Sequence, residues 1–332
     1  MAITTESFAM PGFTLASRRF YWILGLSIAM NLFLFAQYYR ASHNVPQLPP
    51  IPQTRPTPPI PQTLTPQLQH NEEFPKKIWQ SWKDDSEDPT DRSKGLPHEW
   101  RALNPDYRYE RITDDNINTF VRDSFPSYTL ERFVNLTDPI LKADFLRYLI
   151  LYSNGGVWAD IDVKPVRPIL EWIPEKYQGS KVNLVVGIEN DHHKRPIWHN
   201  SPYSVQLAQY TVLARPGHPA IGKLIKKVEQ NLDKLLASKA PGESVSFEEV
   251  MSNTGPFVFT DVLMTHFEKM TGNKYTGNEM DRMKEPMLID DVLVLPIDSF
   301  GWLEHEHKQD GTGPSVLVKH LFMGSWREGH PG

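Results

Sequence analysis

The chain has 332 residues, of which 39% are hydrophobic and 11% aromatic, so it is neither a wholly disordered nor a collagen-like protein. It contains no cysteine, which excludes disulfide bonds, thiolate metal sites and cysteine nucleophiles. The formal net charge of −5 gives no overall basic character, so we expect no nucleic-acid partner. Because the chain has no thiol groups, any metal ion must be bound by carboxylate, imidazole or water ligands.

The N-terminal region predicts a membrane anchor. Residues 1–19 are expected to be a cytoplasmic tail, and residues 20–39, which begin FYWILGLSIAMNLFLFA, predict a helix about long enough to cross a hydrocarbon core of roughly 30 Å. Two arginines precede this segment and one follows it, which favours a cytoplasmic N-terminus. A cleaved signal peptide is the alternative, but the apolar run is longer than a signal core and has no clean cleavage site.

A proline-rich segment follows the apolar run. Nine of the 29 prolines lie within residues 41–70, where large apolar side chains are few, so residues 40–70 predict an extended stem. Charge changes at the same boundary, because residues 1–70 carry a net charge of +3 and the remainder −8. The sequence therefore predicts a single-pass type II membrane protein whose residues 71–332 form a lumenal domain.

Strand and helix patterns alternate along this domain, which predicts an α/β fold with a mixed sheet. The clearest helix is predicted to begin at Asp138-Pro139 and to end at Asn154-Gly155, because these residues are good N-terminal and C-terminal caps. Further helices are expected to open at His218-Pro219 and at Pro256. The predicted strands cover residues 74–82, 157–163, 183–188, 292–295 and 316–318.

Two aspartates at a strand end are the first candidate for chemistry. Asp160 and Asp162 lie two residues apart, so on an extended backbone both carboxylates point to the same side, about 7 Å apart. Such oxygen ligands suit Mg²⁺ or Mn²⁺, and the cation would neutralise the charge of a departing diphosphate. The pattern alone is weak, because a chain of this length and composition contains roughly one such pair by chance.

The sequence around this pair makes the signal stronger. Asp144 and Arg147 lie on the predicted helix before it, and Gly155-Gly156 leads into the pair. Here the sequence resembles glycosyltransferase family 32, and within it the fungal initiation-specific α-1,6-mannosyltransferase group. The other segments of the resemblance, in the family's order, are residues 74–83, 185–191, 214–219, 253–263, 285–301 and 318–327.

The resemblance implies a GT-A-type nucleotide-sugar-binding domain in a Golgi membrane enzyme. Such an enzyme would use Mn²⁺ (or Mg²⁺) to transfer mannose from GDP-mannose to the N-glycan of a glycoprotein, with retention of configuration. Other mannosyltransferases are candidate partners in a complex. Because no carboxylate nucleophile can be identified, we favour attack from the leaving-group face.

The resemblance also implies roles for individual residues. Asp160 and Asp162 would bind the metal and the diphosphate, with His320 as a further metal ligand. Asp144 and Arg147 would bind hydroxyl groups of the donor sugar, and Trp82 would stack on the nucleotide base. Less defined roles are implied for donor-pocket residues and for carboxylates near the reacting centre: Thr254, Asp290, Asp291 and Trp326 for the pocket, Glu189 and Asp191 for the carboxylates.

Several alternatives remain open from the sequence. A family 32 enzyme that mannosylates inositolphosphoceramide is one, and a catalytically inactive, membrane-tethered subunit is another. A haloacid-dehalogenase-type phosphatase would use Asp160 as nucleophile and Asp290 or Asp291 as a magnesium ligand. Asp144 and Arg147 also fit a helix-surface ion pair.

Four local features have more than one interpretation. Trp79 stands where many family members have histidine, and it fits a core position and a site position equally. Asn135-Leu136-Thr137 is an N-glycosylation pattern that a lumenal domain would allow, and a chance match or a buried asparagine fits it equally. Asp191-His192-His193 and His305-Glu306-His307 are interpreted as solvated loops, since neither has a recognised ligand spacing.

Overall fold

The computed structural model describes residues 73–90, 92–197, 201–240, 243–301, 315–324 and 327. The predicted tail, membrane segment and stem lie outside these residues, as do His305-Glu306-His307 and Trp326. Within the described residues, no helix combines the length and the apolar character needed to cross a membrane.

Strands and helices alternate along the described chain. The strands are β1 (Lys77–Ser81), β2 (Arg108–Ile112), β3 (Gly156–Ala159), β4 (Val163–Pro165), β5 (Leu184–Asp191), β6 (Val205–Leu207), β7 (Thr211–Ala214), β8 (Met287–Ile289), β9 (Val292–Leu295) and β10 (Val318–His320). The helices are α1 (Leu96–Leu103), α2 (Ile117–Ser124), α3 (Ser127–Asn135), α4 (Pro139–Asn154), α5 (Pro219–Ser238), α6 (Phe247–Asn253), α7 (Pro256–Thr271) and α8 (Ile297–Phe300).

The main sheet is mixed, which confirms the predicted α/β fold. Its order is β2-β1-β3-β7-β5-β9-β8, and β6 pairs with β5 outside this path. The strands β2, β1, β3, β5 and β9 run in one direction, while β7 and β8 run in the other. The carboxyl ends of β1, β3, β5 and β9 therefore meet at one edge, which we call the carboxyl edge; the opposite edge is the amino edge. Open α/β sheets bind their ligands at the carboxyl edge.

The sheet separates two hydrophobic cores because successive strand residues point to opposite faces. Trp158 and Val186 pack with α4, α5 and α7 on one face. Val157 and Val185 pack with Trp100 of α1 on the other face. The main sheet is therefore covered on both sides, and its carboxyl edge is held between two packed layers.

The turn from α4 into β3 fixes the start of the candidate site. Asp138 caps α4 by accepting a hydrogen bond from the backbone N–H of Ile140 at 3.1 Å, and the N–H of Gly155 closes the helix at Leu151, as the caps predict. Gly156 has a φ of +90°, and a Cβ there would lie 2.7 Å from the carbonyl oxygen of Lys77. Only glycine permits this close approach of β3 to β1.

Candidate active site

The aspartate pair lies in a tight turn at the carboxyl end of β3. The expected single strand over residues 157–163 is interrupted here, because the N–H of Val163 donates to the carbonyl oxygen of Asp160 at 3.0 Å and β4 begins only at Val163. The turn still brings the two carboxylates together. One oxygen from Asp160, one from Asp162 and a ring nitrogen of His320 all lie within 4.8 Å of one another.

His320 reaches this turn through the small antiparallel sheet of β4 and β10, in which it pairs with Val163. Its Nε2 lies 3.2 Å from Oδ1 of Asp162. The imidazole packs between Tyr210 and Phe322, with ring centroids 4.0 Å apart in both pairs. The two aromatic rings therefore hold the orientation of a side chain that is remote from the aspartates in sequence.

The two aspartates have opposite pKa shifts. Burial tends to raise the pKa of Asp162, but the hydrogen bond and charge of His320 and the N–H of Met323 outweigh it and hold this pKa below its ordinary value. Burial raises the pKa of Asp160, and the charge of Arg147 offsets this only in part. A bound divalent cation would favour the ionised form of both carboxylates.

Asp144 and Arg147 form a buried network behind the turn, not a helix-surface ion pair. Arg147 places Nη1 3.0 Å from Oδ1 of Asp144 and Nη2 3.1 Å from Oδ1 of Asp160, and the side chains of Arg147 and Asp144 are only 3% and 1% exposed. Asp144 also accepts hydrogen bonds from Thr254 at 2.9 Å and from Gln209 at 3.2 Å. Burial raises the pKa of Asp144 to about 6 despite these partners.

This network changes the interpretation of both residues. Both side chains are almost fully buried and Arg147 bridges Asp144 and Asp160, so their geometry suits positioning of Asp160. Binding of donor-sugar hydroxyls by these two residues stays a prediction. Thr254, which the sequence suggested as a pocket residue, is fully buried and is brought to the site through Asp144.

Two site residues were missed by the sequence reasoning. Nε1 of Trp158 donates to Oδ1 of Asp160 at 2.7 Å, and the amide of Gln80 donates to the carbonyl oxygen of Asp160 at 3.0 Å. Tyr109 in turn donates to Gln80 at 2.6 Å. A polar glutamine inside a predicted strand was the available signal, because a polar side chain that becomes buried needs a partner.

The two tryptophans of the first strand region have different environments. Trp79 is 5% exposed, packs in the core and donates Nε1 to the carbonyl oxygen of Gly155 at 2.9 Å, which favours its interpretation as a core residue. Trp82 follows β1 at the carboxyl edge and is partly exposed. Its position fits the predicted stacking on a base, which stays a prediction.

Glu189 and Asp191, on the same strand, do not play the same part. Glu189 accepts a hydrogen bond from Gln206 at 2.7 Å, and burial raises its pKa, with weaker influences from the charged groups of the aspartate turn. Asp191 instead accepts from the backbone N–H groups of His193 at 2.9 Å and Arg282 at 2.6 Å. Both oxygens of Asp191 are thereby engaged in loop packing, and a catalytic role for this residue stays a prediction.

Asp290 and Asp291 require a correction. They form the turn between β8 and β9. This turn lies at the amino edge of the sheet, whereas Asp160 lies at the carboxyl edge. Asp291 accepts from Asn183 at 2.8 Å and lies 3.4 Å from Nε2 of His218, while Asp290 is exposed. Adjacency to a strand does not reveal the strand's direction in the sheet. The same placement removes the magnesium ligand that a phosphatase would need beside Asp160.

His218, His266 and Asp291 form a second cluster of possible ligand atoms within 4.8 Å of one another. Nδ1 of His218 accepts the backbone N–H of Ala220 at 3.2 Å and thereby caps α5. Its other nitrogen must then carry the proton of the neutral ring and donate to Asp291. This tautomer leaves no lone pair on Nε2 for a metal, so His218 joins α5 to the turn before β9 by a hydrogen bond, while His266 of α7 lies 3.9 Å from Asp291.

The sequence of the chain is similar to proteins of a known family. Residues 90–178 match the family described as "Glycosyltransferase sugar-binding region containing DXD motif". The chain is 34% identical to the initiation-specific alpha-1,6-mannosyltransferase of Schizosaccharomyces pombe over 79% of the chain and 66% of that protein. It is 32% identical to the initiation-specific alpha-1,6-mannosyltransferase of Candida albicans over 77% of the chain and 72% of that protein.

A solved structure named PaToxG Glycosyltransferase is 17% identical, with a TM-score of 0.38, over 62% of the chain and 73% of that structure. The chain spans about two thirds of the length of the first curated relative above, 66%.

Proposed function

The chain belongs to the glycosyltransferases with a DXD-containing sugar-binding region, the family 32 type, and from this membership we propose that it transfers mannose from GDP-mannose to the N-glycan of a glycoprotein. The observation on which this proposal rests is the convergence of Asp160, Asp162 and His320 at the carboxyl edge. The mixed sheet that positions them supports a GT-A-type domain. The linkage formed would be α-1,6, as in the names of the two relatives.

The three convergent residues fit a divalent cation. Two carboxylates and one imidazole are donors that suit Mn²⁺, and Mg²⁺ would accept the same oxygens. When bound, the cation neutralises negative charge on the diphosphate leaving group. Arg147 and Trp158 orient Asp160 from behind, and Tyr210 and Phe322 orient His320, so the protein would preorganise the ligands before the donor binds.

Retention of configuration is part of the proposal, by attack from the leaving-group face. Both Asp160 and Asp162 are committed to hydrogen bonds and to the proposed metal, so neither is free to act as a nucleophile. Glu189 is partly buried and accepts a hydrogen bond from Gln206, and burial raises its pKa, which disfavours the anionic form that a nucleophile needs. A trapped covalent mannosyl adduct on Glu189 or Asp191 would contradict this route.

The direct test uses the full chain in detergent with Mn²⁺ and labelled GDP-mannose. A trimmed N-glycan, free mannobiose and inositolphosphoceramide are offered as separate acceptors. We expect transfer to the glycan, lowered about 100-fold or more in Asp162→Ala because the proposed charge stabilisation is lost. Asp123→Ala is the matched control, since Asp123 forms an exposed ion pair with Arg122 and we expect its activity to be unchanged.

The three acceptors separate the remaining alternatives. Transfer to inositolphosphoceramide alone would select the lipid-directed enzyme of the same family. If the chain binds Mn²⁺ but shows no transfer and no hydrolysis of GDP-mannose, the inactive subunit would be favoured. Release of phosphate from a generic phosphoester without hydrolysis of GDP-mannose would contradict the glycosyltransferase proposal.

The membrane topology completes the proposal. Residues 20–39 would anchor the protein in the Golgi membrane, and residues 40–70 would hold the catalytic domain in the lumen. Asn135 is exposed at the end of α3, so a lumenal domain would offer it for glycosylation. We expect protection of the domain from protease in sealed vesicles, and an endoglycosidase-sensitive mass that disappears in Asn135→Gln. Digestion of the domain in intact vesicles would contradict this topology.

A further inference from the structure

A pocket of about 190 Å³ lies between β6 and the helices α6 and α7. Tyr203 and Phe257 contribute aromatic surface to its wall, while Gln206 and Asp261 contribute hydrogen-bonding groups. The aspartate turn itself is not part of this wall. The pocket is therefore a separate feature, and its relation to the site follows from the residues that the two share.

Two connections join the pocket wall to the site. Gln206 lines the pocket and donates to Glu189 at 2.7 Å, and Glu189 lies towards the carboxyl end of β5. Ser252 lines the pocket from α6, which ends next to Thr254, and the hydroxyl of Thr254 donates to Asp144 at 2.9 Å. One side-chain hydrogen bond and one helix end thus connect the pocket wall to residues of the site.

The chemistry of the wall suits a neutral sugar. A hexopyranose offers an apolar C–H face that packs on aromatic rings and hydroxyl groups that pair with carboxylates and amides. Glu248 and Asp261 provide two carboxylates, and the described part of the wall contains no lysine or arginine. An anionic diphosphate would be repelled by such a wall, whereas a sugar hydroxyl is a good partner for it.

The wall is also held in place before any ligand binds. The hydroxyl of Tyr203 donates to Oδ1 of Asp261 at 2.9 Å, which orients that carboxylate. The backbone N–H of Leu207 donates to the hydroxyl of Thr260 at 3.0 Å, which fixes β6 against α7. A preorganised polar wall lowers the cost of ordering when a ligand binds.

The sheet order separates the pocket from the proposed nucleotide position. Trp82 follows β1, on one side of β3, whereas β6 pairs with β5 on the other side of β3. We infer that this pocket binds a hexopyranose unit of the acceptor glycan, while the nucleotide lies over β1 and the metal-binding turn lies between them. The inference rests on the proposed mannosyl transfer and adds the position of its acceptor.

Filling the pocket is the sharpest test. Ser252 is exposed, so Ser252→Phe adds a ring to the pocket without removing core packing. We expect the KM for α-mannobiose and for the trimmed N-glycan to rise at least tenfold. The KM for GDP-mannose and the slow hydrolysis of GDP-mannose without acceptor should stay unchanged. Asp261→Asn tests a polar contact and should raise the acceptor KM about tenfold, the factor for a lost hydrogen bond to a charged group.

Ser127→Phe is the matched control, because Ser127 is an exposed serine at the start of α3, outside the pocket wall. We expect this control to leave both KM values unchanged. An unchanged acceptor KM in Ser252→Phe, with wild-type transfer intact, would overturn the acceptor pocket and leave the proposed function standing. A raised KM for GDP-mannose would also overturn it, by assigning the pocket to the donor. Absence of both transfer and donor hydrolysis in the wild type would instead refute the proposed function, and the acceptor pocket with it.

Discussion

Replacing Arg147 by methionine would leave the buried carboxylate of Asp144 and the partly exposed carboxylate of Asp160 without their shared cation. The guanidinium of Arg147 lies 3.0 Å from Asp144 and 3.1 Å from Asp160, and only 3% of the Arg147 side chain is exposed. Methionine fills a similar volume but provides neither the charge nor the hydrogen bonds. The variant therefore tests whether this network stabilises the carboxyl edge.

The magnitude follows from the burial of the pair. Removing one partner of a buried ion pair typically costs about 3–5 kcal/mol, against a total stability of about 5–15 kcal/mol for a folded domain. Burial already raises the pKa of Asp144 to about 6, so without Arg147 this carboxyl can take up a proton near neutral pH. We therefore expect a loss of about 3 kcal/mol, at the lower end of that range.

The assay is urea unfolding followed by tryptophan fluorescence at pH 8 and at pH 6. The folded pKa of Asp144 lies above its unfolded value of 3.8, so this group favours folding at low pH and loses that contribution as the pH rises through about 6. The difference between wild type and Arg147→Met should therefore be smaller at pH 6 than at pH 8.

An exposed ion pair of the same composition provides the control. Arg132 lies 2.7 Å from Asp233, with 32% and 51% of the two side chains exposed. We expect Arg132→Met to cost about 0–1 kcal/mol, as exposed pairs do. Equal losses in Arg147→Met and Arg132→Met, or a difference that grows at low pH, would refute the reasoning.

Three further changes test other parts of the structure. Trp158→Phe removes the hydrogen bond of 2.7 Å to Asp160, and we expect the affinity for Mn²⁺, measured by titration, to fall about 10-fold to 100-fold, as for other residues that orient metal ligands. Gly156→Ala places a Cβ 2.7 Å from the carbonyl oxygen of Lys77 at a φ of +90°. An unfavourable backbone conformation alone costs about 1–3 kcal/mol, and we expect the free energy of unfolding of this variant to fall by more than that, because the close contact adds to it. Burial lowers the pKa of His218, so the contribution of its neutral form to folding is lost as the pH drops below about 6.5; between pH 7 and pH 5 the stability of His218→Asn, measured by thermal unfolding, should therefore fall less or rise more than that of wild type.

For each of these three variants, one outcome would contradict the prediction. Trp172→Phe alters a buried tryptophan of the other core, and a Mn²⁺ affinity equal to that of Trp158→Phe would remove the orienting role. Gly179 has a φ of +83°, and no atom lies within 4 Å of the position that a Cβ would take there, so Gly179→Ala measures backbone conformation alone. An equal loss in both glycine variants would exclude the close contact as a cause. Parallel stability curves for His218→Asn and wild type would exclude His218 as the titrating group.

Helix α4 was predictable because its ends depend on neighbouring residues. The cap at Asp138, the proline after it and the glycine at its end act within one turn of the chain, and the structure confirms all three. The helices that begin at Pro219 and Pro256 were predictable for the same reason. Local signals of this kind do not depend on which strands lie nearby.

Short strands were harder to predict because their partners stabilise them. The strands β2, β6 and β7 carry three to five residues each and were missed, since strand propensity depends on pairing and burial. The same limitation affected the prediction that Asp290 and Asp291 belong to the donor pocket, because their turn lies at the amino edge. A sequence pattern identifies a strand end, but only the sheet determines the edge at which it lies.

By itself the sequence determined the chemical groups available to the site: two closely spaced carboxylates after a Gly-Gly turn, and no thiol ligand. The tertiary structure decided how those groups are used. Pairing of β10 with β4 brings His320 to Asp162, and burial beneath the sheet edge turns Asp144 and Arg147 into a support for Asp160. The physical reason is that residue type and local spacing act along the chain, whereas burial, pKa and ligand convergence depend on long-range strand pairing and helix packing.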